Sequence, residues 1–338
     1  MNTRKVSIGS VEVGGGNPLR VQTMLKSPFE FPEQLFSEAE ELVAAGAEMI
    51  RVAIPTVKDV GIYSLLSELK VPLIADCHFS GDIAEKSLKA GFKKIRINPG
   101  NTSEKDIFDA FRMADSYGAS IRLGFNSGSC GARDAEGIAT QALDWDEKIQ
   151  KAGYKNFLVS MKSSSVLDTV DANRFFSVRS DTPLHIGVTA TGPRDSGILK
   201  SAVGLGALLI DGVGDTIRVS LTSDSLDEVR TAIQLKEITS GQHKGIEFIS
   251  CPACSRNRIN VKKTLDELMS GLTDSDKRKN ISVAVMGCEV NGPGEASHCD
   301  IGLCGTRSGG LIIKKGKVMT GTKDGKVMDR LIEEIRKL

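Results

Sequence analysis

Three cysteines and one glutamate in the last third of the chain have the types and spacing to do chemistry: Cys251 and Cys254 in SCPACSRNRIN, then Cys288 and Glu295 in VAVMGCEVNGPGEA. Three thiolates and one carboxylate suit an iron-sulfur cluster with one exchangeable iron, because iron takes thiolate readily and a cluster that only carries electrons is normally closed by a fourth Cys. Reaction at a metal is therefore expected. A structural zinc site remains open, since His298 or Cys299 can complete a set of nitrogen and sulfur ligands. A thioredoxin-like pair fits less well, because Cys254 is followed by the polar run Ser255-Arg256-Asn257-Arg258 and not by a buried helix in a βαβ unit. A radical enzyme built on adenosylmethionine needs three closely grouped cysteines, which this chain lacks. Cys77, Cys130 and Cys304 read as small buried side chains.

A second chemical pattern lies upstream. Gly46 to Arg51, Gly91 to Arg96, Gly118 to Arg122 and Gly214 to Arg218 each read glycine, two or three residues, isoleucine, arginine. The glycine fits a helix stop and the isoleucine a packed strand, but a guanidinium in a buried strand is costly without a counter-anion. Asp76 is the chief carboxylate on offer. Lys162 ends another strand, while Asn98, Asn126, His78, Thr189 and Ser220 supply hydrogen-bonding groups near strand ends. Such a ring of cations predicts a polyanionic substrate, a phosphate or diphosphate ester. His78 is a candidate proton donor or phosphate contact. His185 sits deeper and reads as a satisfied core histidine.

These residues are spaced by a repeating unit. Short apolar runs recur at 19–24, 49–54, 72–77, 94–98, 120–126, 157–162, 183–189 and 216–221. Segments of helical period separate them: Leu35, Ala39, Leu42 and Val43 mark one face and Gly46 the stop, while Ser103 caps a helix whose face is Ile107, Phe108, Phe111 and Ala114. Eight strands, each followed by a helix, predict an α/β fold with a closed (β/α)8 TIM-type barrel over 1–240. A doubly wound open sheet is the alternative, but no Gly-x-Gly-x-x-Gly turn follows the first strand. A small α+β module over 245–338 follows: strand, cysteine pair, helix, strand, a sharp turn at Asn291-Gly-Pro-Gly294, one strand through GGLIIKKGKV, and a terminal helix.

Composition agrees with two domains, since 338 residues with 40% hydrophobic content exceed the size of one usual core. A net charge of +1 gives no general pull toward nucleic acid or acidic membrane. The start MNTRKVSIGSVEVGGG lacks the apolar run of a signal peptide, and seven dispersed cysteines argue for a reducing compartment, so a cytoplasmic location is expected. Connectivity adds a constraint. The eighth barrel helix returns to the face opposite the active one, so a module on a short linker emerges roughly 20 Å of strand away from its own barrel mouth. A head-to-tail homodimer, each module over the other chain's barrel, resolves this.

The motifs MGCEVNGPGEA, KIRINPGN, PLHIGVT, GILKSAVGLGALLIDGVGDTIRVSL, ADCHF and CPAC, in this order, resemble the 4-hydroxy-3-methylbut-2-enyl diphosphate synthase family of the methylerythritol phosphate route to isoprenoids. The resemblance runs nearly end to end. It implies a barrel and a cluster domain in a head-to-tail dimer, with Cys251, Cys254 and Cys288 on a 4Fe-4S cluster and Glu295 on the fourth iron. It also implies a cyclic diphosphate substrate, 2-C-methyl-D-erythritol 2,4-cyclodiphosphate, reduced with electrons from flavodoxin or ferredoxin. Arg51, Arg96, Arg122 and Lys162 fall on the family's diphosphate-binding positions, with His78, Asn126 and Ser220 beside them. Glu295, once displaced, is a candidate proton donor. The chain departs from the family at Thr189-Ala190-Thr191-Gly192, where Ala190 stands in place of a Glu, at Gln22-Thr23-Met24-Leu25, and at Ser255. A related reductase acting on another phosphate ester, a barrel lyase with a structural zinc module, and a cluster-based sensor are the competing readings.

Overall fold

The computed structural model describes residues 3–77, 81–128, 131–132, 134–319 and 326–338. His78 and Cys130 lie outside the described residues. The chain divides into two compact units, Met1–Ser240 and Gly241–Leu338.

The first unit opens with a hairpin, β1 (Val6–Ile8) and β2 (Val11–Val13), which was not anticipated from the sequence. The repeat follows as β3 (Arg20–Met24), α1 (Pro32–Ala44), β4 (Met49–Ile54), α2 (Ile62–Leu66), β5 (Leu73–Cys77), α3 (Gly81–Ala90), β6 (Lys94–Ile97) and α4 (Glu104–Ser116). It continues as β7 (Ser120–Asn126), α5 (Ala135–Lys151), β8 (Phe157–Lys162), α6 (Val166–Ser177), β9 (His185–Ile186), α7 (Arg194–Ile210), β10 (Thr216–Ile217) and α8 (Ser225–Ser240). Strands β3 to β10 form one parallel sheet in the order β8-β7-β6-β5-β4-β3-β10-β9, and a parallel bridge from Val159 to Leu184 closes it into a barrel. All eight expected strands are present, but β9 and β10 are two residues long where six or seven were expected. The pairing continues loosely past them through Arg218 N–H to Ile186 O at 3.1 Å.

Local signals explain the helices. In α1, Leu35, Ala39 and Leu42 are buried and Gly46 takes the left-handed φ of +108° that ends it. In α4, the Ser103 hydroxyl accepts from Asp106 N–H at 3.2 Å, and Ile107, Ala110, Phe111 and Ala114 are buried. The β1–β2 hairpin packs Val6, Ile8 and Val13 against Met49, Ile74 and Leu158 from the starts of β4, β5 and β8, plugging the N-terminal end of the barrel.

The second unit contains β11 (Ile246–Ser250), α9 (Val261–Gly271), α10 (Asp274–Lys277), β12 (Ile281–Met286), α11 (Gly292–Ser297), β13 (Ile301–Thr306), β14 (Gly309–Lys314), β15 (Lys317–Val318) and α12 (Val327–Arg336). Its sheet runs β11-β12-β13-β14-β15, parallel across the first three strands and antiparallel after. Three features correct the sequence reading. Strand β13 was missed, because IGLCGT is short and glycine-interrupted. GGLIIKKGKV is a hairpin and not one strand, turning at Lys315 and Gly316 with φ of +48° and +73°. Asn291-Gly-Pro-Gly294 starts α11 instead of making a turn: Pro293 tolerates the first helical turn because its missing N–H has no partner there, and Glu295 N–H reaches Asn291 O at 3.1 Å. Among the described residues no helix is long and apolar enough to cross a membrane.

Candidate functional site

Strand alternation decides where the arginines of the repeat go. Ile50, Ile95, Ile121 and Ile217 are fully buried in the core between barrel and helices, which turns Arg51, Arg96, Arg122 and Arg218 to the barrel interior. The same alternation brings in Gln22, Asp76, Lys94, Ser160, Lys162, His185 and Thr216. Arg51, Arg122 and Lys162 are 8%, 3% and 8% exposed, so the cations lie within the barrel and not on its rim as expected. Arg51, Arg96 and Arg122 are rooted in mid-strand, while Lys162 ends β8 and Arg218 follows β10; Arg96 Nε lies 3.1 Å from where a Cβ on Gly124 would stand.

Counter-charge is scarce here. Asp76 bonds Arg51 Nη2 at 2.5 Å and approaches Arg96 at 3.6 Å. Burial pushes its carboxyl up, but Arg51 and then Arg96 outweigh that and hold it below the usual value. Arg218 has Glu228 at 3.7 Å, which it shares with Lys26 at 2.8 Å. Arg122, Lys94 and Lys162 have no carboxylate within ion-pairing distance among the described residues. Buried nitrogens are left over: Nε of Arg51, Arg96 and Arg218, and both Nε and Nη1 of Arg122, have no hydrogen-bond partner among the described residues. Burial, then the neighbouring cations, depresses Arg122 and Lys162 well below their ordinary values and moves Arg218 down to about 10. Six basic side chains share two carboxylates and leave N–H donors without partners among the described residues, an arrangement that a polyanion would satisfy.

Of the other predicted contacts, Asn126 ends β7 and pairs in register with Lys162, while Thr189 and Ser220 are half-buried, each three residues beyond the end of β9 and β10. Ala190 holds a left-handed φ of +53° between them. His185 is buried as expected, with both ring nitrogens engaged, yet one partner is Lys162. Lys94 and Glu228 were not found from sequence. Lys94 follows Lys93 at a strand start and looks like a solvated turn, and Glu228 is one of two adjacent acids in the first turn of α8.

The second unit brings the other set together. Cys251 and Cys254 follow β11, Cys288 follows β12, and Glu295 projects from α11. All four line one cavity of about 430 Å³ with Arg256, Asn257 and Gly287. Cys251 Sγ accepts from Gly287 N–H at 3.2 Å. Backbone and side-chain N–H groups of Arg256 lower the Cys254 thiol, and the N–H groups of Asn291 and Val290 lower Cys288, as thiolate ligands require. Among the described residues no three His, Cys, Asp or Glu side chains converge as one metal ion would need. Neither His298 nor Cys299 lines the cavity; Cys299 packs into the hydrophobic cluster beneath it. Sulfurs spread round a cavity suit a polynuclear cluster, and the zinc set is not assembled. Cys304 and Cys77 are buried thiols pushed up to about 12, chiefly by burial, and so remain protonated.

Comparison with known proteins agrees with both halves. Residues 3–233 match the GcpE TIM-barrel domain and residues 247–337 match the GcpE protein C-terminal domain. The chain belongs to the GcpE family. Relatives named 4-hydroxy-3-methylbut-2-en-1-yl diphosphate synthase (flavodoxin) include those of Hydrogenobaculum sp., 40% identical over 99% of this chain and 97% of that one. Those of Persephonella marina (40% identical; 99% of this chain, 98% of that one) and Aquifex aeolicus (38%; 99% and 96%) are alike. Among solved structures, the dihydropteroate synthase of Thermus thermophilus covers 71% of this chain and 100% of its own, with a TM-score of 0.54 and 15% identity. That likeness shows the barrel fold alone, which the GcpE chain shares with enzymes of other chemistry.

Proposed function

We propose that this chain reduces 2-C-methyl-D-erythritol 2,4-cyclodiphosphate to 4-hydroxy-3-methylbut-2-enyl diphosphate. Two electrons and two protons enter, the bond from ring carbon to diphosphate oxygen opens, and one water leaves. The observation that carries the reading is the lining of one cavity by Cys251, Cys254, Cys288 and Glu295. The three thiolates would hold a 4Fe-4S cluster, with Glu295 as the oxygen ligand to its fourth iron. When bound, such a cluster supplies electrons and a Lewis-acidic iron. Arg51, Arg96, Arg122 and Lys162 bind and orient the diphosphate, and their charge stabilises the negative charge left on it as the ring opens. Asn126, Thr189, Ser220 and His78 are proposed as further contacts. Glu295, exposed and lining the same cavity, is proposed as the proton donor.

The electron donor is proposed to be flavodoxin, as the relatives' names say of them, and the compartment the cytoplasm. Residues 1–240 would bind substrate and 245–338 the cluster, and two chains would pair head to tail. Leu199, Val203 and Ile210, three exposed apolar residues on one face of α7, support self-association. The test is anaerobic purification, iron and sulfide assay, then incubation with the cyclodiphosphate and reduced flavodoxin. A brown protein forming the linear diphosphate is expected; zinc in place of iron, or a brown protein without product, overturns the assignment.

A further inference from the structure

Lys162 ends in an environment that none of the arginines has. Its Nζ lies 3.3 Å from His185 Nε2, and His185 Nδ1 lies 2.7 Å from Thr216 Oγ1, so β8, β9 and β10 contribute to one buried hydrogen-bonded chain. Gly187 keeps the end of that chain clear, since a Cβ there would stand 2.5 Å from Nζ. The charged groups facing the pair are Arg51 on β4, Lys94 and Arg96 on β6, Arg122 on β7 and Arg218 after β10. Asp76 and Glu228 are already engaged by Arg51 and Arg96 and by Lys26 and Arg218. A protonated Lys162 has no lone pair, so Nε2 must then accept, and Nδ1 must carry the ring proton and donate to Thr216. Burial among these basic side chains keeps the His185 ring neutral, as an acceptor must be. Burial, and then Arg122, Arg218, Arg51 and Arg96, favour the uncharged Lys162 amine while no anion is bound, and an anion among these cations reverses the preference.

We infer that entry of a diphosphate-type anion into the barrel is coupled to uptake of one solvent proton by Lys162, and that His185 is the positioning residue that holds Lys162 for it. The inference rests on reading the barrel interior as a polyanion site. The step is Lys162 amine plus a proton giving Lys162 ammonium, with no electron transferred. Over the pH range between the titration of Lys162 in the empty and the filled barrel, each unit rise in pH weakens binding by up to about tenfold.

Calorimetry of inorganic pyrophosphate binding to the cluster-loaded full chain, in two buffers of different ionisation enthalpy, counts the protons taken up. The free anion's titration is common to every variant, and Lys162→Arg, which keeps the positive charge beside the bound anion, is the reference that holds the bound anion's titration alike. The parent chain should take up about one proton more than Lys162→Met or Lys162→Arg, the latter being charged throughout. His185→Leu should raise Kd about tenfold, and His185→Gln, which restores an acceptor, should recover most of that. Equal proton counts in the parent and both Lys162 variants, or an unchanged Kd and pH slope in His185→Leu, overturn the inference. Failure of the parent chain to bind pyrophosphate instead removes the polyanion reading beneath it.

Discussion

At the residue scale, Arg122 shows how far the interior is built for something it must bind. A guanidinium 3% exposed with two unpartnered nitrogens opposes folding, because burying charge without counter-charge is costly. Arg122→Met should therefore raise stability by about 1–4 kcal/mol while weakening pyrophosphate binding about ten- to a hundredfold. Urea unfolding and calorimetry on the same preparations check the two signs. Lys162 gives a related pH dependence. Its folded-state titration is pressed well below 10.5, so between that point and 10.5 the unfolded chain binds the extra proton. Stability then rises with pH across this window, by up to about 1.4 kcal/mol per unit, and His185 adds a loss as pH falls below its ordinary value. Lys162→Met should flatten the upper slope in urea titrations from pH 7 to 10. A slope equal to the parent's would show that Lys162 stays charged in the fold. Such residues are legible in sequence when a charge follows a buried isoleucine, as in all four glycine–isoleucine–arginine units. Lys94 is not, because KKIRI reads as a solvated approach to a strand.

At the element scale, the alternation of β-strands is what turns a row of arginines into a pocket, and glycines set how close the charges come. Gly187→Ala would place a Cβ 2.7 Å from Arg218 O as well as against Lys162 Nζ. Backbone cannot move away cheaply, so a loss of about 1–3 kcal/mol is expected, with anion affinity falling alongside. A thermal melt with and without pyrophosphate separates the two effects. The β14–β15 turn offers the opposite sign. Lys315 takes a left-handed φ of +48° beside Gly316, a conformation Asn adopts more readily than Lys. Lys315→Asn should stabilise the second unit by up to about 1 kcal/mol, seen as a higher urea midpoint with unchanged slope. That hairpin was illegible because Lys-Gly is a weak turn signal inside an apolar run. By contrast, glycine stops and β-branched runs announced all eight barrel strands. α11 was misread because glycine and proline signal turns and helix starts alike.

At the scale of the whole molecule, the proposed function divides between the units: Cys251, Cys254, Cys288 and Glu295 line a cavity in one, and the basic barrel interior with its unpartnered donors lies in the other. Only residues 241–245 join α8 to β11. From the sequence, a join this short is expected to leave the second unit short of its own barrel mouth, and the proposed dimer rests on that expectation. Pairing between chains is the solution proposed above, and it has a signature that no single-chain arrangement shares. Lys162→Met disables the barrel, and Cys288→Ser disables the metal site. Each variant alone should be inactive whichever arrangement holds. In a mixed dimer, the intact barrel of the Cys288→Ser chain faces the intact metal site of the Lys162→Met chain, which rebuilds one of two sites. Random reassortment at equal concentrations makes half the dimers mixed, so activity should return to about a quarter of the parent level. If each site is built within one chain, mixing restores nothing, because every chain still carries one disabled half.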